Sequence, residues 1–238
     1  MEYQYPIILH PTSAASVVKP FVHHKGHSIK HGPSEIVVFS RFLRFGLNQL
    51  HEDLCVNLGG NNYYPDFAYV NEKKNIYVDI EIDEPYSASG HPTHYKQASG
   101  IAKDSARNRR FQDAGWYIVR FTEEQAFCHT REAVKVILDV LKSAGAIDDI
   151  PSQFEHLPSL PTTAQWTENE SNDMHRRGFR KSYLHFDPGK MRLRDNLYCL
   201  RLIIPILFQS TLNKKVRKRL TEELKAYLKP RKQSHRAR

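Results

Sequence analysis

The sequence predicts a mixed α/β fold in which helices flank a mixed sheet. Three observations predict it. An amphipathic stretch begins after residue 33, and three short β-prone runs follow between residues 54 and 83, each bounded by turn residues. A helix-length segment then ends at Gly115, with one further β-prone run beyond it. The resulting order is helix, three strands, helix, strand, helix.

The first helix opens at Ser34-Glu35, after which Ile36, Val37, Phe39, Phe42, Leu43, Leu47 and Leu50 recur at roughly the spacing of one helix face. The strands are expected at 54 to 58, closed by Gly59-Gly60-Asn61-Asn62, at 66 to 70, closed by residues 71 to 75, and at Ile76–Asp83. Residues 94 to 114 hold no proline and have the length of a long helix. Residues 116 to 121 form the fourth strand, and 131 to 142 a last helix.

The core therefore spans residues 34 to 146. Residues 1 to 33, rich in Pro, His and Gly, are expected to form an irregular or partly extended N-terminal arm. A linker over 147 to 166 carries Pro151, Pro158 and Pro161. Residues 167 to 238 then form a small α-helical extension, with helices at 167 to 184, 195 to 210 and 213 to 228, ending in a basic tail.

At 238 residues with 40% apolar and 26% charged side chains, the chain can bury one good-sized core. Cys55, Cys128 and Cys199 are scattered and odd in number, which argues against a disulfide framework or a thiolate zinc site and fits a reducing cytoplasm. No secretory signal or membrane span is expected; the most apolar run, 197 to 208, is short and interrupted by Arg201 and Pro205.

The net charge of +9 lies in the tail: from Lys214 onward eleven Lys and Arg face only Glu222 and Glu223. Such a segment, including Lys214, Lys215 and Arg217, suits either a nucleic-acid tether or a solubilising terminus.

The most informative stretch is Ile76–Asp83. Val78, Ile80 and Ile82 point one way, and Asp79, Glu81 and Asp83 the other. Carboxylates repeating about every 6.6 Å on one face repel one another. Water on an exposed face, or a divalent cation in a cleft, would offset that repulsion. Fourteen residues separate Asp66 from Glu81, enough for a hairpin to set the two carboxylates side by side. Such a pair is what metal-assisted phosphodiester hydrolysis needs.

Four motifs occur in sequence: Tyr64-Pro65-Asp66-Phe67; Val78-Asp79-Ile80-Glu81-Ile82-Asp83; Asp104-x-x-Arg107; and Gly115-Trp116-Tyr117-Ile118-Val119-Arg120-Phe121. Their order resembles the PD-(D/E)xK nuclease superfamily, and within it the very-short-patch-repair endonuclease relatives, over roughly residues 34 to 142. The resemblance implies a restriction-endonuclease-like αβββαβ core whose metal ligands are Asp66 and Glu81, with Asp83 or Asp79 depending on register. It implies catalytic roles for Asp66, Glu81 and Asp83, with Mg²⁺ as cofactor and Mn²⁺ as substitute. Several members add a first-helix glutamate, and Glu35 matches; equally, Glu35 suits a helix start through the macrodipole.

One position departs from the pattern. A lysine is expected two residues after the second acid, and Asp83 stands there. An acid has replaced it, or the cation has moved to a helix, for instance at Lys103, or catalysis is lost.

On the segment after the acidic strand, Lys96, Lys103, Arg107 and Arg110 fall in one stripe at helical spacing, suited to a phosphate backbone or simply to solvent. Asp104 and Arg107 have the spacing to pair with each other. His91 and His94 are candidates for the site mouth, as histidines are in the very-short-patch group. His23, His24, His27 and His31 are expected to be incidental members of the arm.

The leading expectation is a DNA endonuclease using metal-activated water. A nucleic-acid-binding protein on a catalytically degenerate core is the first alternative. The second is the cleaving subunit of a transposition or recombination complex, docking a protein partner or a second copy through the C-terminal extension.

Overall fold

The computed structural model describes residues 4–12, 17–22 and 33–184. Its first helix, α1 (Pro33–Arg44), starts on a proline, whose missing N–H costs nothing at that position. Glu35 in its first turn and Arg41 and Arg44 in its last match the helix macrodipole. Val37, Val38, Phe39, Phe42 and Leu43 are buried.

The strands that follow are β4 (Leu50–His51), β5 (Leu54–Leu58), β6 (Asn61–Tyr63), β7 (Phe67–Asn71) and β8 (Ile76–Asp83). Then come α2 (Ser105–Asp113), β9 (Tyr117–Thr122), α3 (Glu123–Cys128) and α4 (Thr130–Ser143). A mixed five-stranded sheet runs in the order β2, β9, β8, β7, β4, where β2 is Ile7–Leu9. Only β8 and β9 are parallel, joined by the crossover that carries α2. β8 is therefore the middle strand, and all eight of its residues are buried.

The alternation along β8 divides the protein into two layers. Val78, Ile80 and Ile82 join α1, α3 and α4 in the larger core through Phe39, Phe42, Ala126, Val134 and Ile137. Tyr77 lies on the opposite face with Phe111, Trp116 and Ile118, covered by Leu54, Val56 and Leu58 of β5. β5 itself belongs to a second sheet with β6 and β3 (Phe21–Val22). Helix α2 ends in a paired-carbonyl cap: Gly115 N–H donates to Gln112 O and Trp116 N–H to Phe111 O. Gly115 holds φ +80° there, and a Cβ would sit 2.9 Å from Val17 Cγ2.

Three expectations about secondary structure are corrected. The helix read over 94 to 114 exists only as Ser105–Asp113, because Gly100 at positive φ ends a turn closed by the Lys96–Ala102 bridge. The arm is partly extended: β1 (Gln4–Tyr5), β2 and β3 lie within it, and β2 forms an edge of the central sheet against β9.

The proline-rich linker is likewise built in. It holds α5 (Ser152–Glu155) and β10 (Thr163–Ala164), which pairs with β1, and it buries Phe154, Leu160 and Trp166. Residues 167 to 184 form two helices, α6 (Glu168–Arg176) and α7 (Arg180–Tyr183), α6 being started by a Thr167–Glu170 capping box.

The helices expected at 195 to 210 and 213 to 228, with Lys214, Lys215, Arg217, Cys199 and the basic tail, lie outside the described residues. So do His23, His24, His27 and His31. No described helix is long and apolar enough to cross a membrane.

Candidate active site

β7 pairs with β8 so that Phe67 lies opposite Ile80. One step further along the same register brings Asp66 beside Glu81, as the hairpin spacing predicts. The Asp66 backbone N–H donates to Glu81 Oε1 at 3.3 Å, and Asp66 Oδ2 accepts from Ile82 N–H at 2.7 Å. Asp66 Oδ1 and Glu81 Oε2 carry no hydrogen bond among the described residues.

Burial pushes the Asp66 carboxyl up to about 8, with Glu35 of α1 adding to the effect and the Ile82 N–H opposing it. Burial also raises Glu81 well above the ordinary carboxylate range, against the pull of Arg107. Glu84, next after β8, is a site residue the sequence reading passed over. Burial raises it to about 7, while His94 and Arg180 draw it down. At neutral pH these carboxyls gather more negative charge than the surroundings neutralise, so a proton or a cation satisfies them.

The rest of the acidic face is neutralised differently from expectation. Two guanidinium groups offset the repulsion along β8. Arg107 of α2 donates through Nη1 to Asp79 Oδ2 at 2.6 Å and through Nη2 to Asp79 Oδ1 at 3.2 Å and Glu81 Oε1 at 2.6 Å. Arg120 of β9 grips Asp83 through Nε at 2.9 Å and Nη2 at 2.7 Å, and the Tyr5 hydroxyl donates to the same carboxylate at 2.7 Å. Asp79, read as a metal ligand, and Asp83, read as catalytic, are therefore held in buried ion pairs. Removing one partner of such a pair typically costs about 3–5 kcal/mol, because the other charge stays buried.

Arg120 and Tyr5 were not singled out from the sequence. An arginine in the middle of a β-prone run beside a strand of three acids is the signal that could have found the first, since buried arginine requires anionic partners. Arg120 also donates to Asn108 Oδ1 at 3.1 Å. No comparable signal marks Tyr5, which comes from the far N-terminus.

His94 extends this network. Its Nδ1 lies 2.9 Å from Asp104 Oδ2 and 3.4 Å from Asp83 Oδ1, on a backbone at φ +48° that non-glycine residues seldom adopt. Burial alone would lower its pKa, but Asp83 and Asp104 outweigh that and push it up to about 9. Burial opposes ionisation of Asp104 too, yet its His94 hydrogen bond and Arg120 hold it well below the usual range. Asp104 thus pairs with His94 and Arg120, not with Arg107. His91 stays apart, exposed in a turn where its N–H donates to Ser87 Oγ.

The basic stripe does not form on one helix face. Lys96 precedes α2, with its backbone N–H donating to Trp166 O, Lys103 lies 5.1 Å from the Tyr95 ring centroid, and Arg107 points inward. Arg110 is exposed and donates to the Tyr63 hydroxyl.

Among the described residues, no three His, Cys, Asp or Glu side chains form a ready-made cage for a metal ion. Mg²⁺ is commonly held by only one or two carboxylates, with water and phosphate oxygens completing the octahedron. The Asp66–Glu81 pair meets that requirement with hard oxygen donors, and Glu35 lies close enough to shift Asp66. Comparison with protein-family models, with curated proteins and with solved structures gives no match for this chain.

Proposed function

We propose that this protein is a metal-dependent endonuclease that hydrolyses DNA phosphodiester bonds on a restriction-endonuclease-like core of the PD-(D/E)xK type. The observation that carries this reading is the Asp66–Glu81 pair. Two carboxylates face each other across neighbouring strands, each with one oxygen committed to a hydrogen bond and one left over, and burial raises both toward protonation.

Asp66 and Glu81 would hold the cation, with Glu35 or Glu84 as the neighbouring carboxylate. A bound Mg²⁺ or Mn²⁺ supplies Lewis-acid polarisation of the phosphate and lowers the pKa of water. The protein's own contribution is orientation. The Ile82 N–H fixes one Asp66 oxygen, and the rigid middle strand fixes the spacing between the acids.

A second reading is a DNA-binding protein on a catalytically degenerate core. It is favoured by Asp83, which stands at the superfamily's lysine position and is fully engaged with Arg120 and Tyr5. Nicking of supercoiled plasmid in Mg²⁺ or Mn²⁺ separates the two. The endonuclease reading expects cleavage by the wild type and its loss in Asp66→Ala and Glu81→Ala. Equal nicking by all three proteins, or none by the wild type, favours the second.

A further inference from the structure

Glu81 is the one carboxylate of the strand that both arginines approach, with Arg107 Nη2 2.6 Å from Oε1 and Arg120 Nη1 3.8 Å from Oε2. Asp79 alone would satisfy Arg107, since the pair is bidentate and Asp79 is fully buried. The guanidinium is nevertheless placed to make a third bond, and it lies 4.5 Å from the Phe111 ring centroid. Asp79, Phe111 and the backbone of α2 together fix its plane and leave it little freedom to follow Glu81. The dependence therefore runs the other way, with Glu81 conforming to Arg107.

We propose that Arg107, clamped by Asp79, is a positioning residue that fixes Glu81 through Oε1 and so presents Oε2 to the divalent cation. The inference rests on the metal site proposed above and adds to it a role for the Asp79–Arg107 pair. Two donors converge on Oε1, from Arg107 Nη2 and from the Asp66 backbone, whereas Oε2 receives no hydrogen bond among the described residues. The carboxylate is thereby held in one rotational setting, beside the Asp66 carboxylate. Of the two guanidinium groups on the acidic strand, the one that bonds Glu81 thus comes from helix α2, at Arg107 and not at Lys103. Lysine could supply the charge but not the two-carboxylate fork.

Calorimetric titration with Mn²⁺ at fixed pH, run beside plasmid nicking across Mn²⁺ concentrations, tests this. The set is wild type, Arg107→Lys, Arg107→Gln, Asp79→Asn and Arg109→Ala, an exposed control outside the site. Fold is checked by circular dichroism and melting temperature. Orientation of a ligand by its neighbours is worth about 10- to 100-fold in metal affinity. Folded Arg107→Gln and Asp79→Asn should each weaken Mn²⁺ binding within that range and raise the Mn²⁺ needed for half-maximal nicking in parallel. Arg107→Lys should fall between them and the wild type, and Arg109→Ala should match the wild type.

Should Arg107→Gln fail to fold, Asp79→Asn carries the same expectation, because it frees the fork while keeping the guanidinium. Wild-type Mn²⁺ affinity in folded Arg107→Gln or Asp79→Asn overturns the positioning role alone. A wild type that binds Mn²⁺ without nicking, with binding weakened in the variants, overturns the nuclease reading and leaves the positioning role standing. No Mn²⁺ binding by the wild type overturns both.

Discussion

Asp66 and Glu81 stand opposite each other on adjoining antiparallel strands, and the backbone N–H of the first donates to Oε1 of the second at 3.3 Å. The strand register sets the two residues opposite each other whether or not a cation is present.

Burial, with the nearby Glu35, makes Asp66 a source of instability that a bound cation would relieve. Its pKa is raised from 3.8 to about 8, so the folded state keeps a proton that the unfolded chain has already lost. Stability from this group therefore falls as pH rises from about 4 through about 8. Asp66→Asn, which retains an acceptor for Ile82 N–H, should melt higher than the wild type at pH 8 in EDTA. Mg²⁺ should raise the melting temperature of the wild type and leave that of the variant unchanged.

His94 titrates in the opposite sense from a buried, unpaired imidazole. With its pKa raised from 6.5 to about 9, its contribution is fully present below 6.5 and is lost as pH rises through 9. An NMR titration should find the His94 imidazole midpoint well above 6.5. His94→Asn, whose side chain tolerates the positive φ, should flatten the loss of stability between pH 6.5 and 9.

A buried ion pair helps attach α7 to the core. Arg180 donates through Nε at 2.7 Å and Nη2 at 2.6 Å to Glu123, which also accepts from the Tyr183 hydroxyl at 2.7 Å. Arg180→Met should destabilise the protein by about 3–5 kcal/mol in urea unfolding, because Glu123 is left buried without its cation. Arg176→Ala, at an exposed pair with Asp173, should cost under about 1 kcal/mol.

Gly115 offers a test of the crossover. Alanine there meets both the positive φ and Val17, so Gly115→Ala should lower stability by more than about 1 kcal/mol in the same assay. A neutral effect would mean that the cap of α2 relaxes without cost.

What the sequence made legible was local. The alternation of Val78, Ile80 and Ile82 with three acids, and the hairpin distance from Asp66 to Glu81, depend on strand geometry and a short connection, and both held. The partners of those acids were hidden because they arrive from afar. Arg107 is 28 residues from Asp79, Arg120 is 37 from Asp83, and Tyr5 is 78 from it. Reading 94 to 114 as one helix sets Arg107 in a basic stripe facing phosphate or solvent, or pairs it with Asp104. α2 begins only at Ser105, beyond the turn at Gly100, and carries Arg107 onto Asp79 and Glu81 of the strand instead. β1, β2 and β3 are two or three residues long, too short for any periodicity, and exist only through pairing with distant strands. Glu84 was overlooked because alternation assigns its position to the apolar face.

The central claim is that Asp66 and Glu81 together hold a divalent cation. Anomalous diffraction from crystals soaked in Mn²⁺ tests it most directly. The account predicts a peak at about 2.0–2.2 Å from an oxygen of each carboxylate, and no peak there in Asp66→Asn crystals. Wild-type crystals with no peak between these residues, and with Asp66 and Glu81 unmoved, would contradict it.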